Sequence, residues 1–141
     1  MENKPLVLIA DDEQGIREIV KMKLEASGFE VREAADGEKA INLAREIKPD
    51  IILLDIVMPG IDGIKTFLDL KSDDRTKRIK IFLFTGKGDP RPEIVEINRR
   101  FAKESGAVDF IRKEINLDDL AAKLRKIIED IKAEKEHKNK K

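Results

Sequence analysis

The chain has 141 residues, a length that fits one domain of ordinary size. Hydrophobic residues make up 40% of it, so a buried core is expected, and Lys plus Arg equals Asp plus Glu at 29 each. The resulting net charge of zero argues against a nucleic-acid binder, which normally carries a basic excess. Without cysteine, and with His137 as its one histidine, the chain excludes disulfides and thiolate sites and disfavours histidine catalysis or zinc ligation.

The distribution of apolar residues argues against any membrane association. The longest apolar stretches have only several residues, so the sequence predicts neither a spanning segment nor a signal peptide. The charged fraction of 41% is typical of a helix-rich, charged surface. We therefore expect a cytoplasmic protein with no membrane partner and no nucleic-acid partner.

Five short segments have the pattern of β-strands. Most are continuous apolar runs, typical of central parallel strands that are buried on both faces, whereas the second is weaker and alternates, which suits an edge. In chain order, the predicted strands are Leu6–Ala10, Phe29–Ala34, Ile51–Leu54, Ile79–Thr85 and Val108–Arg112.

Each predicted strand is followed by a segment with the periodicity of an amphipathic helix, in which apolar residues recur at spacings of three and four. Gly28 and Gly106 are predicted to end the first and fourth helices, and Pro49 the second. The apolar faces of the five helices run over Ile16–Leu24, Ala40–Ile47, Ile64–Leu68, Ile94–Ala102 and Leu117–Ile131.

This strict alternation predicts an α/β fold, a doubly wound parallel sheet of five strands with helices on both faces. No repeat or linker divides the chain, so we expect one domain over residues 1–131 and a charged, frayed helix end over 132–141. In such sheets the ligand lies beyond the carboxyl ends of the strands.

Polar residues stand at the ends of four predicted strands. If the first and third strands are neighbours, three carboxylates converge. Two like charges about 4 Å apart repel by about 4 kcal/mol at an effective dielectric constant of 20. A hard cation such as Mg²⁺, which prefers oxygen ligands, would explain that cluster. For a single aspartate, capping of the first helix stays open as an alternative. The residues are Asp11, Asp12 and Glu13 after the first strand, Asp55 after the third, Thr85 at the end of the fourth and Lys113 after the fifth.

These residue types suit the chemistry of an acyl phosphate. A carboxylate can attack a phosphoryl group, and catalysis then depends on positioning and on stabilising the charge of the phosphoryl oxygens. A magnesium ion, the Lys113 ammonium and the Thr85 hydroxyl would supply these effects. Each of these residues alone could be an ordinary strand or surface residue, so the inference depends on their shared position at the strand ends.

Four segments together resemble the receiver domain of two-component response regulators, with a match from about Pro5 to Ile131. The resemblance implies the flavodoxin-like strand order 2-1-3-4-5. The segments that carry it are Leu6–Glu13, Ile52–Gly63, Phe84–Gly86 and Gly106–Lys113.

The resemblance implies roles for the acidic residues. Asp55 would be the phosphoacceptor. Asp12 and Asp55 would bind Mg²⁺ directly, together with the backbone carbonyl of Val57, and Asp11 would assist through a water molecule. The side chain of Val57 would influence how easily water reaches the phosphoryl group, so this apolar residue is expected to slow hydrolysis.

The resemblance also implies a switch and its partners. Lys113 would pair with the phosphoryl group, Thr85 would move to hydrogen-bond it, and Phe110 would be the switch aromatic that turns inward as Thr85 moves. The donor would be a phosphohistidine on a sensor histidine kinase, or a small acyl phosphate. The fourth helix, fifth strand and fifth helix would form the face for an unknown downstream protein, by direct interaction or by phosphorelay. We expect a monomer or weak dimer. The protein would catalyse its own phosphotransfer and dephosphorylation and would not be an enzyme that acts on other substrates.

Two features depart from the family pattern. Glu114 stands where a proline, often in a cis bond, usually follows the lysine, and we predict a trans bond because a cis bond before a non-proline residue costs about 3 to 4 kcal/mol. The stretch over residues 86–92 holds two prolines and two glycines, which predicts a long loop before the fourth helix.

Three other functions compete with that of a phosphorylated receiver. The chain ends soon after the last predicted helix, so we expect a stand-alone receiver without an output domain. The first alternative is an unphosphorylated interaction module on the same fold. The second is a phosphatase of the haloacid-dehalogenase type, which is disfavoured because the first strand ends in Asp11-Asp12-Glu13 rather than in Asp-x-Asp. A dinucleotide-binding domain is disfavoured because no Gly-x-Gly-x-x-Gly follows that strand.

Overall fold

The computed structural model describes residues 4–56, 63–85, 100 and 103–139. Its strands are β1 (Leu6–Ala10), β2 (Glu30–Ala34), β3 (Ile51–Asp55), β4 (Lys80–Thr85) and β5 (Asp109–Arg112). The helices in the described residues are α1 (Gln14–Ala26), α2 (Gly37–Ile47), α3 (Gly63–Ser72) and α4 (Leu117–Asn139).

All five strands belong to one parallel sheet in the order β2-β1-β3-β4-β5, which confirms the predicted topology and the predicted edge position of the second strand. Helix α4 corresponds to the fifth predicted helix. The apolar residues of the fourth predicted helix, Ile94, Ile97, Phe101 and Ala102, lie outside the described residues, as does the stretch 86–92.

The helices cover both faces of the sheet, as predicted. Successive side chains of a strand point to opposite faces, so the apolar runs of the central strands supply two separate cores. Leu8, Ile52 and Leu83 pack with α2 and α3 on one face. Ile9, Leu53 and Phe84 pack with α1 and α4 on the other. The sheet is therefore buried on both sides, and polar groups from these strands gather at its edge.

The predicted helix ends are largely confirmed. Gly28 and Gly106 adopt φ angles of +98° and +105°, a region that favours glycine. Helix α2 ends at Ile47, before Lys48 and Pro49. The apolar periodicity of α4 stops at Ile131, and the helix extends to Asn139, into the segment expected as a charged helix end; the side chains of residues 132–137 are exposed. None of the helices in the described part of the chain has the length and apolar character needed to cross a membrane.

The strand register brings the candidate site residues to one edge. Ala10 pairs with Leu54, so Asp11 and Asp55 come next on adjacent strands. By the alternation of side chains, Asp11, Asp55 and Lys113 continue the rows of Ile9, Leu53 and Ile111, which face α1 and α4. Three charged groups from distant parts of the chain therefore converge at the carboxyl end of the sheet.

Candidate functional site

Asp11 and Asp55 form the buried centre of the site. Their side chains lie at the carboxyl ends of adjacent strands, with residue exposures of 0% and 2%, while Asp12 is exposed. One carboxylate oxygen from each of these three residues lies within 4.8 Å of the others. Mutual repulsion of charges at this distance opposes folding, so a positive charge is required to stabilise the cluster.

Neither Asp11 nor Asp12 is the N-cap residue of the first helix, so the capping alternative is wrong. The N-cap residue of α1 is Glu13, and no side chain caps it by a hydrogen bond. Asp11 Oδ1 accepts a hydrogen bond from the backbone N–H of Glu13 at 2.9 Å, one residue before the helix begins. This bond fixes the orientation of the Asp11 carboxylate and leaves its other oxygen directed toward the cluster.

Lys113 supplies the positive charge. Its Nζ lies 2.7 Å from Asp11 Oδ2 and donates a hydrogen bond to Asp55 Oδ2 at 3.1 Å. Glu13 Oε1 lies 3.4 Å from the same nitrogen, on the solvent side. The Lys113 side chain is only 8% exposed, so little water screens these contacts. Lys113 therefore joins the ends of β1 and β3 from the far strand β5.

The acidic neighbours change the protonation of Lys113. Burial lowers the pKa of an amine because it disfavours the charged form, but the carboxylates of Asp11 and Asp55 outweigh that effect, so the pKa of Lys113 is raised above 10.5. Lys113 is therefore fully charged at neutral pH and available to pair with an anion.

This raised pKa predicts how stability depends on alkaline pH. A folded-state pKa above the unfolded value contributes stability that is present below pH 10.5 and lost as the pH rises through the folded-state pKa. Below that pH, we expect the urea midpoint of wild type to be higher than that of Lys113→Met. The difference between the two midpoints should shrink as the pH rises further. Lys65→Met, which removes an exposed lysine paired with Asp69, is the control and should show no such convergence. If the difference in urea midpoint between wild type and Lys113→Met stayed constant through the alkaline range, the raised pKa of Lys113 would be contradicted.

The donor set fits a divalent cation. Asp11 Oδ2 is buried and lies 2.7 Å from the Lys113 ammonium. Among the described residues, the cluster has three carboxylates, and one ammonium group contacts two of them, Asp11 and Asp55, so negative charge is in excess. Oxygen ligands with excess negative charge are the chemistry that Mg²⁺ prefers.

Some predicted site residues are only partly described. Thr85 ends β4 by its backbone, and its side chain lies outside the described residues, as does all of Val57. The side chain of Phe110 is 3% exposed and belongs to the core on the α2 and α3 face. The peptide bond between Lys113 and Glu114 is trans, which confirms the prediction.

Two residues that sequence reasoning did not single out support the site. Arg17, in α1, donates a hydrogen bond from Nη1 to the backbone carbonyl of Asp11 at 2.7 Å. Gly63, at the start of α3, packs so closely that a Cβ there would overlap the backbone of Asp55 and Ile56. Gly63 belongs to the segment that carries the family resemblance, but the sequence alone assigned no structural role to this glycine. Arg17 gave no signal, since it is one of many charged residues.

Comparison with known proteins agrees with this geometry. Residues 7–125 match the family described as response regulator receiver domain. The phosphate regulon transcriptional regulatory protein PhoB of Pseudomonas aeruginosa is 38% identical over 122 residues, which cover 86% of this chain and 51% of that protein. The DNA-binding dual master transcriptional regulator RpaA of Synechocystis sp. is 32% identical over 124 residues, covering 88% of this chain and 49% of that protein. The chain thus spans about half the length of these curated relatives.

Solved structures show the same fold. The chemotaxis protein CheY4 of Vibrio cholerae superimposes with a TM-score of 0.77 at 27% identity, covering 89% of this chain and 99% of that one. A CheY-like receiver domain protein of Methanospirillum hungatei gives 0.79 at 26% identity, covering 93% and 99%. Both superpositions extend over nearly the whole of the compared chain.

Proposed function

We propose that this chain, which belongs to the response regulator receiver domain family, accepts a phosphoryl group on Asp55 in a Mg²⁺-dependent reaction. The donor is a phosphohistidine of a sensor histidine kinase or a small acyl phosphate. An oxygen of the Asp55 carboxylate attacks phosphorus as the bond from phosphorus to the donor breaks, and the product is an aspartyl phosphate.

The observation that supports this proposal most strongly is the buried contact of Lys113 with Asp55. The ammonium group lies 3.1 Å from Asp55 Oδ2, where it can pair with an incoming phosphoryl oxygen and stabilise the charge that spreads over that group. Because the ammonium is already held between Asp11 and Asp55, little reorganisation is needed as the reaction proceeds. Thr85 stands at the end of the neighbouring strand β4. We assign its hydroxyl as the group that hydrogen-bonds a phosphoryl oxygen.

Asp11, Asp12 and Asp55 would hold the magnesium ion, together with the backbone carbonyl of Val57. When bound, Mg²⁺ supplies positive charge that offsets the repulsion between the carboxylates and an anionic phosphoryl group. The protein residues provide the fixed positions: Asp11 is held by the Glu13 N–H and Asp55 by the end of β3.

The output follows from a change in the equilibrium between two conformations. A phosphoryl group that pairs with Lys113 and Thr85 would stabilise the inward position of Phe110, a position that the side chain already has in this structure, at the expense of other conformers. The surface formed by the fourth predicted helix, β5 and α4 then presents a different face to a downstream protein or to a relay partner. The protein is proposed to act as a cytoplasmic, self-dephosphorylating phosphoacceptor, as a monomer or weak dimer.

The experiment that tests the proposal is intact mass measurement after incubation with acetyl phosphate. We expect one added phosphoryl group in Mg²⁺ and none after chelation with EDTA. Failure to gain the group, both with acetyl phosphate and with a panel of sensor kinases, would favour the unphosphorylated interaction module instead. Steady turnover of a phosphomonoester such as p-nitrophenyl phosphate would favour the phosphatase alternative.

A further inference from the structure

Arg17 links the acidic site to the outer edge of the sheet. It lies in the first turns of α1 with a side chain 15% exposed. Its Nη1 donates to the Asp11 carbonyl at 2.7 Å and its Nε donates to Glu33 Oε1 at 3.2 Å. Lys21 Nζ lies 3.6 Å from the other oxygen of Glu33. One guanidinium therefore contacts both the end of β1 and the edge strand β2, which itself contributes none of the predicted site residues.

The Asp11 carbonyl lies where the backbone pairing of β1 with β2 ends. The Asp11 N–H still donates to the Ala34 carbonyl at 3.1 Å, but the paired register of β1 and β2 ends at Ala10 and Ala34. Among the residues that the structure describes, no backbone N–H of the sheet donates to the carbonyl of Asp11 beyond that point, and an unpaired buried carbonyl is costly. The charged Arg17 donor makes this a strong, directional bond.

Holding this carbonyl also orients the next residue. The peptide unit is planar, so the direction of the Asp11 carbonyl determines the direction of the Asp12 N–H and the position of its Cα. Asp11 itself is held at three points: its N–H by Ala34, its Oδ1 by the Glu13 N–H and its carbonyl by Arg17. The guanidinium group of Arg17 thus contributes to the positions of two of the three clustered carboxylates.

We propose that Arg17 is a positioning residue for the divalent-cation site, because its bond to the Asp11 carbonyl holds the carboxylates of Asp11 and Asp12 in register with Asp55. This inference rests on the proposed function and adds a residue to its machinery. Glu33 takes part by holding the Arg17 guanidinium from the edge strand.

The test compares Mg²⁺ dissociation constants from amide NMR titrations. Arg17→Met keeps most of the apolar length and removes the donors. Arg45→Met is a matched control, since Arg45 in α2 also pairs through Nε with a carboxylate, Asp73, at 2.9 Å but is not among the contacts of the acidic cluster. Outer partners of metal ligands commonly change metal affinity by 10- to 100-fold, so we expect Arg17→Met to weaken Mg²⁺ binding about tenfold and Arg45→Met less than about twofold.

A second variant keeps the inference testable if Arg17→Met does not fold, which its amide spectrum would show. Glu33→Gln leaves the Arg17 donors in place and removes only the charge that orients them, so we expect Mg²⁺ binding to weaken about two- to threefold. A simply structural role for Arg17 would lower the urea midpoint without changing the Mg²⁺ dissociation constant of the folded protein.

The outcomes separate this inference from the proposed function. If wild type binds Mg²⁺ and gains a phosphoryl group, while folded Arg17→Met or Glu33→Gln binds Mg²⁺ as wild type does, the role of Arg17 is overturned and the proposed function stands. If wild type itself does not bind Mg²⁺, both are overturned. Weakened binding in the Arg17 and Glu33 variants, with Arg45→Met unchanged, supports the positioning role.

Discussion

Asp55→Asn is expected to abolish uptake of a phosphoryl group from acetyl phosphate. The amide has nearly the shape of the carboxylate and still accepts a hydrogen bond from Lys113, but it lacks the nucleophilic, negatively charged oxygen. Loss of a covalent nucleophile is among the largest single-residue effects, so we expect the rate to fall at least about a thousandfold, below detection by intact mass.

Asp36→Asn is the matched control for this substitution. Asp36 caps α2, where its carboxylate accepts from the Lys39 N–H at 2.8 Å, and asparagine is about as good a cap as aspartate. The control therefore makes the same chemical change after the edge strand β2 with little effect on folding. Uptake by Asp55→Asn at the rate of the control would place the phosphoacceptor on another residue.

Gly63→Ala is expected to destabilise the protein by about 3 kcal/mol, the upper end of the usual cost of overpacking. A Cβ at this position would overlap the Asp55 carbonyl oxygen and the Cα of Ile56. These are backbone atoms at the end of a buried strand, and the Gly63 N–H donates to the Ile56 carbonyl at 3.2 Å, so neither side can move away without breaking contacts. Any shift that does occur displaces Asp55, so we also expect slower phosphoryl uptake by the folded fraction.

Gly15→Ala is the control, and urea unfolding followed by far-ultraviolet circular dichroism is the measurement. Gly15 is exposed in α1, and a Cβ there meets no atom within 4 Å. Alanine stabilises an exposed helical position relative to glycine by about 0.5–1 kcal/mol. The two substitutions should therefore change stability in opposite directions, and a Gly63→Ala midpoint equal to or above that of wild type would show that the close approach is absent.

The fold was predictable because its signals are local in the sequence. Continuous apolar runs such as Ile51–Leu54 indicate strands buried on both faces, and the weaker Phe29–Ala34 run indicates an edge; the structure has both. The convergence of Asp11 and Asp55 was predictable in the same way, since the carboxyl ends of parallel strands meet at one edge.

The strand ends were predicted closely, and the last helix extends into the segment that was expected to be a charged helix end. Strand β2 begins at Glu30 rather than Phe29, a difference of one residue. Helix α4 continues to Asn139 because its charged residues are good helix formers that need no core contact, whereas the apolar periodicity used for the prediction stops at Ile131. Apolar periodicity thus reports the buried part of a helix rather than its whole length.

By itself, the sequence determined the order of the elements, the two-sided burial of the sheet and the set of charged residues at its edge. The tertiary structure alone decided which atoms meet there. The approach of Lys113 Nζ to Asp11, the bond from Arg17 to the Asp11 carbonyl and the contact of Gly63 with Ile56 are examples. Hydrophobic patterns repeat along the chain and can be recognised locally. By contrast, pairing of charges and of free backbone groups depends on strand register and helix position, which exist only after the whole sheet has assembled.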